Sequence, residues 1–221
     1  MDYLEAIQQR HSVRAYLDKP IEGETLKALE QEIADCNRES GLHIQLIQNE
    51  PKAFDSRMAH YGSFSGVKNY IAMVGRKSPQ LDELCGYYGE RIVLKAQTLG
   101  LNTCWVALTY KKIPGVFQID SGEKLTVVIS VGYGKTQGST RPSKSISDVT
   151  TIEGEMPSWF RSGIEAALLA PTAVNQQRFH FTLVGDKVKA KAKPAFYSKM
   201  DLGIAKYHFE LGSGKDHTVW L

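Results

Sequence analysis

Ala170-Pro171-Thr172-Ala173-Val174-Asn175-Gln176-Gln177 stands late in the chain, and what flanks it sets the architecture. Upstream, Pro157 to Ala170 has helical spacing and stops at Pro171, whose ring cannot continue a helix. Downstream, Phe179 to Val184 alternates like a strand ending in Gly185-Asp186, and Asp201 to Leu211 is a helix closed by Gly212. Earlier in the chain the same order occurs. Glu22 or Gly23 opens a helix carrying Leu26, Leu29 and Ile33; Gly41 to Gln48 and Tyr70 to Val74 read as strands; Leu84 to Leu99 reads as a longer helix with Gly100 as its stop. Asp2 caps a short helix with Leu4 and Ile7, and Thr126 to Val131 is the most strand-like run, ending in Gly132-Tyr133-Gly134-Lys135. From Lys135 to Thr151 the composition turns to Gly, Ser, Thr, Lys and Pro, as in a solvated loop or linker. The expected fold is α+β, with two degenerate halves at 1–150 and 151–221.

The chain has 221 residues, 42% hydrophobic and 23% charged, which is ordinary for a globular protein with a substantial core. The longest apolar stretch, Leu125 to Val131, falls far short of the roughly 20 residues that span a bilayer. Met1 to Arg10 carries Asp2 and Glu5 where a signal peptide has its apolar core, so a cytoplasmic location is expected, with no membrane partner. Cys36, Cys85 and Cys104 are scattered, without metal-site spacing, and read as free thiols. A net charge of +3 is too small to imply nucleic-acid binding by itself.

Arg10-His11-Ser12-Val13-Arg14 places two arginines four apart, so at a helix end or in a tight turn both could reach one anion, with His11 and Ser12 as further donors. A pair of surface arginines is the plainer alternative. Gly100 to Ala107 is read as a helix stop followed by a small, partly apolar stretch in which Gly100 is a cap and Trp105 a core aromatic, unless the backbone there approaches something flat. Cys104 lacks an evident His partner and is read as a packed thiol. Arg141 and Lys144 are loop cations, either functional or solvated. Asn175 and Gln177 carry amides that suit a mixed donor and acceptor edge, or serve as caps.

Taken together, R-H-S-V-R-A-Y, the segment Leu94 to Trp105 and the segment Ala170 to Gln177 resemble the FMN-dependent nitroreductase family, with its arginine clamp, its G-L-G-T-C-W segment and its A-P-S-x-x-N-x-Q segment. The resemblance runs from residue 3 to about 212. In ordinary members the last motif follows soon after the arginines, whereas here Ala34-Asp35-Cys36-Asn37-Arg38-Glu39-Ser40-Gly41 holds that position. The chain therefore looks like a tandem member, nitroreductase-like halves forming an intramolecular pseudo-dimer around mainly antiparallel sheets: a monomer with one FMN.

The resemblance implies that Arg10, His11, Ser12 and Arg14 hold phosphate and ribityl, with Arg141 and Lys144 as further phosphate cations. It implies that Trp105, Val106 and Ala107 lie along the ring, and that Pro171, Thr172, Asn175 and Gln177 reach it from the second half. Thr172 keeps the hydroxyl of the family's Ser, while Arg178 stands where the family has Pro. The implied activity is hydride transfer from NADH or NADPH to flavin and then to a quinone, nitroaromatic or similar small acceptor, in a ping-pong scheme that names no acid or base and no metal. Two other readings compete. One is a flavin-binding sensor or carrier without turnover; the other is an anion- or nucleic-acid-binding protein using Arg10, Arg14, Lys111, Lys112 and Lys187, Lys189, Lys191 and Lys193, which share one side only on a strand.

Overall fold

The computed structural model describes residues 1–221. Two compact units share the chain, one made of residues 10–81 and 92–139, the other of residues 1–9, 82–91 and 140–221. These borders follow packing, whereas the expected division at 150 concerns sequential copies; the polar stretch from 140 onward belongs whole to the second unit.

The first unit rests on four strands, β1 (Gln45–Ile47), β2 (Tyr70–Arg76), β3 (Asn102–Val106) and β4 (Glu123–Gly132), in the spatial order β1-β2-β4-β3 with every pairing antiparallel. The central strands are the apolar runs legible in the sequence: β2 is buried from Tyr70 to Gly75, and β4 from Val127 to Gly132. Phe54, Phe64, Tyr70, Val106 and Val128 form a core cluster in this unit. Helix α2 (Gly23–Ser40) buries Leu29, Ile33 and Cys36, and closes where the Gly41 N–H donates to the Asn37 carbonyl at 2.9 Å. A short α3 (Arg57–Tyr61) begins at Ser56, whose hydroxyl accepts from the Ala59 N–H. Helix α4 (Leu81–Thr98) gives residues 82–91 to the second unit and its remainder to the first.

Edge strand β3 departs from expectation, since 100–107 reads as a helix stop and a small stretch. Its opening residues Asn102 and Thr103 mask the pattern because both are polar yet buried. Asn102 is satisfied inside, its Oδ1 accepting from the Gly134 N–H at 3.0 Å and its Nδ2 donating to Gln137 Oε1 at 3.0 Å.

The second unit holds α1 (Tyr3–Gln9), α5 (Ile146–Val149), β5 (Thr150–Thr151), α6 (Ser158–Leu168), β6 (Phe179–Val184), β7 (Lys187–Ala192) and α7 (Ser198–Ser213). Its sheet runs β5-β6-β7, parallel between the first two and antiparallel between the last two. Phe179, Phe181 and Val188 are buried, and the register sets Phe181 opposite Ala190, so Lys187, Lys189 and Lys191 share the other face. Phe209 on α7 packs its ring 5.7 Å from Phe160 on α6 and 5.4 Å from Phe181. Two expectations change here. Gly212 lies inside α7, where a Cβ would run into Ala166 and the Ser162 carbonyl of α6, and the left-handed stop is Gly214 at φ 66°. The polar stretch is also more than a linker, because it forms α5, with a reciprocal Ser145–Asp148 cap, and β5. No helix of the chain is long and apolar enough to cross a membrane.

Candidate functional site

In the first unit the chain from Ser12 to Tyr16 docks along existing structure: Ser12 bridges Thr103 of β3, Ala15 bridges Ser65 and Tyr16 bridges Gly134. The Val13 N–H donates to the Thr103 carbonyl at 3.0 Å, and the Ser65 N–H to the Arg14 carbonyl at 3.0 Å. Arg10 directly follows the end of α1, and Ser12 and Arg14 lie on the segment docked beside β3. All three act on Cys104: burial pushes its thiol up, against the charge of Arg14, a Ser12 hydrogen bond and the charge of Arg10. A buried thiol held protonated is inert, which agrees with the packed-thiol reading. His11 is half-buried, its Cβ against Gly138.

Arg14 is exposed, its guanidinium 5.9 Å from the Phe64 ring centroid. It also walls a cavity of about 290 Å³ together with residues 61–64, Trp105, Val106, Ala107 and Thr109. The cavity therefore joins a permanent cation to an aromatic ring and to main chain at the end of β3, whose last ladder pair is Val106 with Val128. Ala107 follows that pair, so its main-chain groups lie outside the ladder register.

In the second unit the loop 170–177 is strained and tied down. Val174, Asn175 and Gln177 have φ of 45°, 56° and 44°, a left-handed region that is costly for a β-branched valine, and Val174 is 93% exposed. The ties are numerous. Arg141 donates to the carbonyls of Leu169 at 3.2 Å and Ala170 at 2.7 Å, and Lys144 Nζ to those of Gln176 at 2.9 Å and Gln177 at 2.8 Å. Burial, then Arg178 and Lys193, lower the Lys144 pKa. Gln177 is buried, donating to Leu168 O at 2.8 Å and Ser143 Oγ at 3.1 Å and accepting from the Lys144 N–H at 2.8 Å. Thr172 Oγ1 accepts from the Gln177 N–H at 3.1 Å, and Pro171 is buried. Asp201 accepts from the Ala173 N–H at 3.0 Å and from Gln176 Nε2 at 2.7 Å. Burial pushes its carboxyl up to about 6, opposed by the Gln176 bond, the Ala173 bond and the charge of Arg141. Asn175 Nδ2 donates to the Pro142 carbonyl at 2.8 Å, while its Oδ1 is buried with no hydrogen-bond partner.

Residues 2–213 match the family model described as "Putative TM nitroreductase". The chain belongs to this nitroreductase family. The structure of a Thermotoga maritima protein described as a "putative nitroreductase" is similar over 96% of this chain and 83% of its own, at 24% identity and a TM-score of 0.66. A protein from Desulfovibrio desulfuricans described as a "putative nitroreductase in complex with FMN" is similar over 71% of this chain and 99% of its own, at 18% identity and a TM-score of 0.55. A nitroreductase family protein from Streptococcus pneumoniae TIGR4 follows at 14% identity, 67% and 98% coverage and a TM-score of 0.54. These likenesses show a nitroreductase-like α+β fold. No curated protein matches the sequence.

Within this nitroreductase-family chain the expected residues fall into two kinds. Arg14, Trp105, Val106 and Ala107 line one cavity, and Arg10 and Ser12 join Arg14 around Cys104. Arg141 and Lys144, expected as phosphate cations, serve main-chain carbonyls, and Gln177, expected at a ring edge, points inward to Leu168 and Ser143. Sequence reasoning passed over Tyr61, Gly62, Ser63, Phe64 and Thr109 of the cavity wall, which lie in no periodic pattern. It also passed over Asp201, which it took only as the start of a helix; α7 begins three residues earlier.

Proposed function

We propose that this chain is an FMN-dependent oxidoreductase that takes hydride from NADH or NADPH and reduces a small quinone, nitroaromatic or similar acceptor. The observation that carries the reading is the cavity shared by Arg14 and the Trp105–Ala107 wall. Its lining fits the cofactor: Arg14 supplies charge and hydrogen bonds for a phosphate, and Trp105, Val106 and Ala107 make a partly apolar wall. FMN, when bound, accepts a hydride and returns two electrons, so that NAD(P)H, a proton and a quinone give NAD(P)⁺ and a hydroquinone.

The chain's own part is anchoring and orientation. Arg14 holds the phosphate through charge-assisted bonds worth about 1.5–3 kcal/mol each. Trp105, Val106 and Ala107 would fix the ring, and the main chain of Ala107, beyond the last β3 ladder pair, would offer a hydrogen bond that favours its reduced, more negative state. Arg141, Lys144 and Gln177 brace the strained loop of the second unit. We further read the chain as two degenerate halves in a monomer with one FMN, with donor and acceptor using the same site by turns.

FMN titrated into the flavin-free protein, followed by flavin fluorescence, tests this directly. Saturation at one FMN per chain, followed by NADH or NADPH oxidation coupled to menadione with parallel double-reciprocal plots, is the expected result. Absence of FMN uptake overturns the assignment, uptake without turnover makes the chain a flavin carrier, and a tight dimer overturns the monomer.

A further inference from the structure

The mouth of the cavity carries a feature that holding a phosphate and a ring does not use. Tyr61 lines the cavity and is nevertheless 86% exposed. Met58, three residues earlier on α3, is 53% exposed, and Leu108, between the wall residues Ala107 and Thr109, is 61% exposed. Single exposed apolar residues are ordinary, but here an exposed aromatic ring is itself part of a cavity wall, and the wall segment Ala107–Thr109 carries a second exposed apolar side chain, Leu108.

The backbone under Tyr61 is well tied, so the exposure does not come from a loose end. The N–H groups of Gly62, Ser63 and Phe64 donate to the carbonyls of Met58, His60 and Ala59 at 3.0, 2.9 and 3.0 Å. Ser56 caps the other end of α3. A two-torsion aromatic side chain on a tied turn offers a flat apolar face at small entropic cost.

Resting on the FMN reading of this cavity, we infer that Tyr61, assisted by Leu108, selects the electron acceptor by stacking a planar, neutral aromatic such as a quinone at the cavity mouth. Tyr61 is then a specificity-determining residue, separate from the cofactor anchor at Arg14. An offset or edge-on ring pair at a partly exposed site is worth about 3- to 10-fold in affinity.

The test uses the FMN-loaded full chain and three variants, Tyr61→Ala, Tyr61→Phe and Leu108→Ala. Menadione binding by calorimetry and menadione steady-state kinetics are measured beside FMN affinity. In the FMN-saturated protein Tyr61→Ala is expected to raise the menadione Kd and KM about 3- to 10-fold, with the loss falling on KM rather than kcat. Tyr61→Phe restores both values, and Leu108→Ala gives a smaller rise of the same sign. A Tyr61→Ala protein that retains FMN and binds menadione like the parent overturns the inference, as does a Tyr61→Phe protein as weak as Tyr61→Ala, which would assign the effect to the hydroxyl. A parent that takes up no FMN is recognised before any quinone is added, and overturns the cofactor reading and this inference with it.

Discussion

Two segments of this chain carry nearly the same residue types to opposite ends. Arg10-His11-Ser12-Val13-Arg14 leaves Arg14 exposed at a cavity, whereas Arg141-Pro142-Ser143-Lys144 commits both cations to main-chain carbonyls. The difference lies in the backbone each cation meets. Around Arg14 the main chain is already paired, with Val13 on Thr103, Ser65 on Arg14 and Tyr16 on Ser65. The C-terminal end of α6 and the loop 170–177 have no ladder, so carbonyls there take donors from side chains, and Arg141, Ser143, Lys144 and Gln177 supply them. A cation is available to a ligand where the local backbone has satisfied itself.

The largest effect that should separate the two segments is on stability. Gln177→Leu removes three hydrogen bonds from a buried position and is expected to cost about 3 kcal/mol, read by chemical denaturation. Arg14→Ala should leave stability nearly unchanged and weaken FMN binding by about 2 kcal/mol, roughly 30-fold. Arg141→Ala should do the reverse, lowering the melting temperature more than FMN affinity, and the contrast collapses if both variants behave alike.

A smaller effect concerns pH. The Asp201 carboxyl is held at about 6 in the folded protein, above its ordinary value of 3.8. Folding therefore favours the protonated form, and the stability linked to this group is full below the unfolded value and lost as pH rises through about 6. Between pH 5 and 7 the loss amounts to about 1 kcal/mol, and Asp201→Asn should remove that slope from denaturation curves. Smallest of all, Val174→Gly relieves a left-handed valine and should raise stability by about 0.5–1 kcal/mol. A decrease would mean that the exposed side chain is packed in solution.

Much of the fold was legible because burial imposed its period on the sequence. Leu29 and Ile33 mark α2, and the unbroken apolar runs mark β2 and β4, which have partners on both sides. What hid β3 was its position at the sheet edge, with Asn102 and Thr103 buried but satisfied by groups distant in sequence. In β7 the small inward residues Ala190 and Ala192 gave no apolar signal beside the lysines. The site was legible in residue type and not in geometry: which of Arg14, Arg141 and Lys144 faces a cavity depends on hydrogen bonds made across about 30 positions, as between Arg141 and Ala170. Tyr61 had no pattern to reveal it, since its surroundings come from a turn and from the far end of β3.

The lysines of β7 have one further consequence. β7 is the outer strand of its sheet, and an unguarded outer strand is a template on which other chains can polymerise. Here the Leu221 N–H fills one position by donating to the Val188 carbonyl at 3.0 Å, and beyond it Lys189 and Lys191 project from the strand. Mutual repulsion of ammonium groups then opposes strand-to-strand growth between molecules, a protection that weakens as added salt shortens the reach of charge.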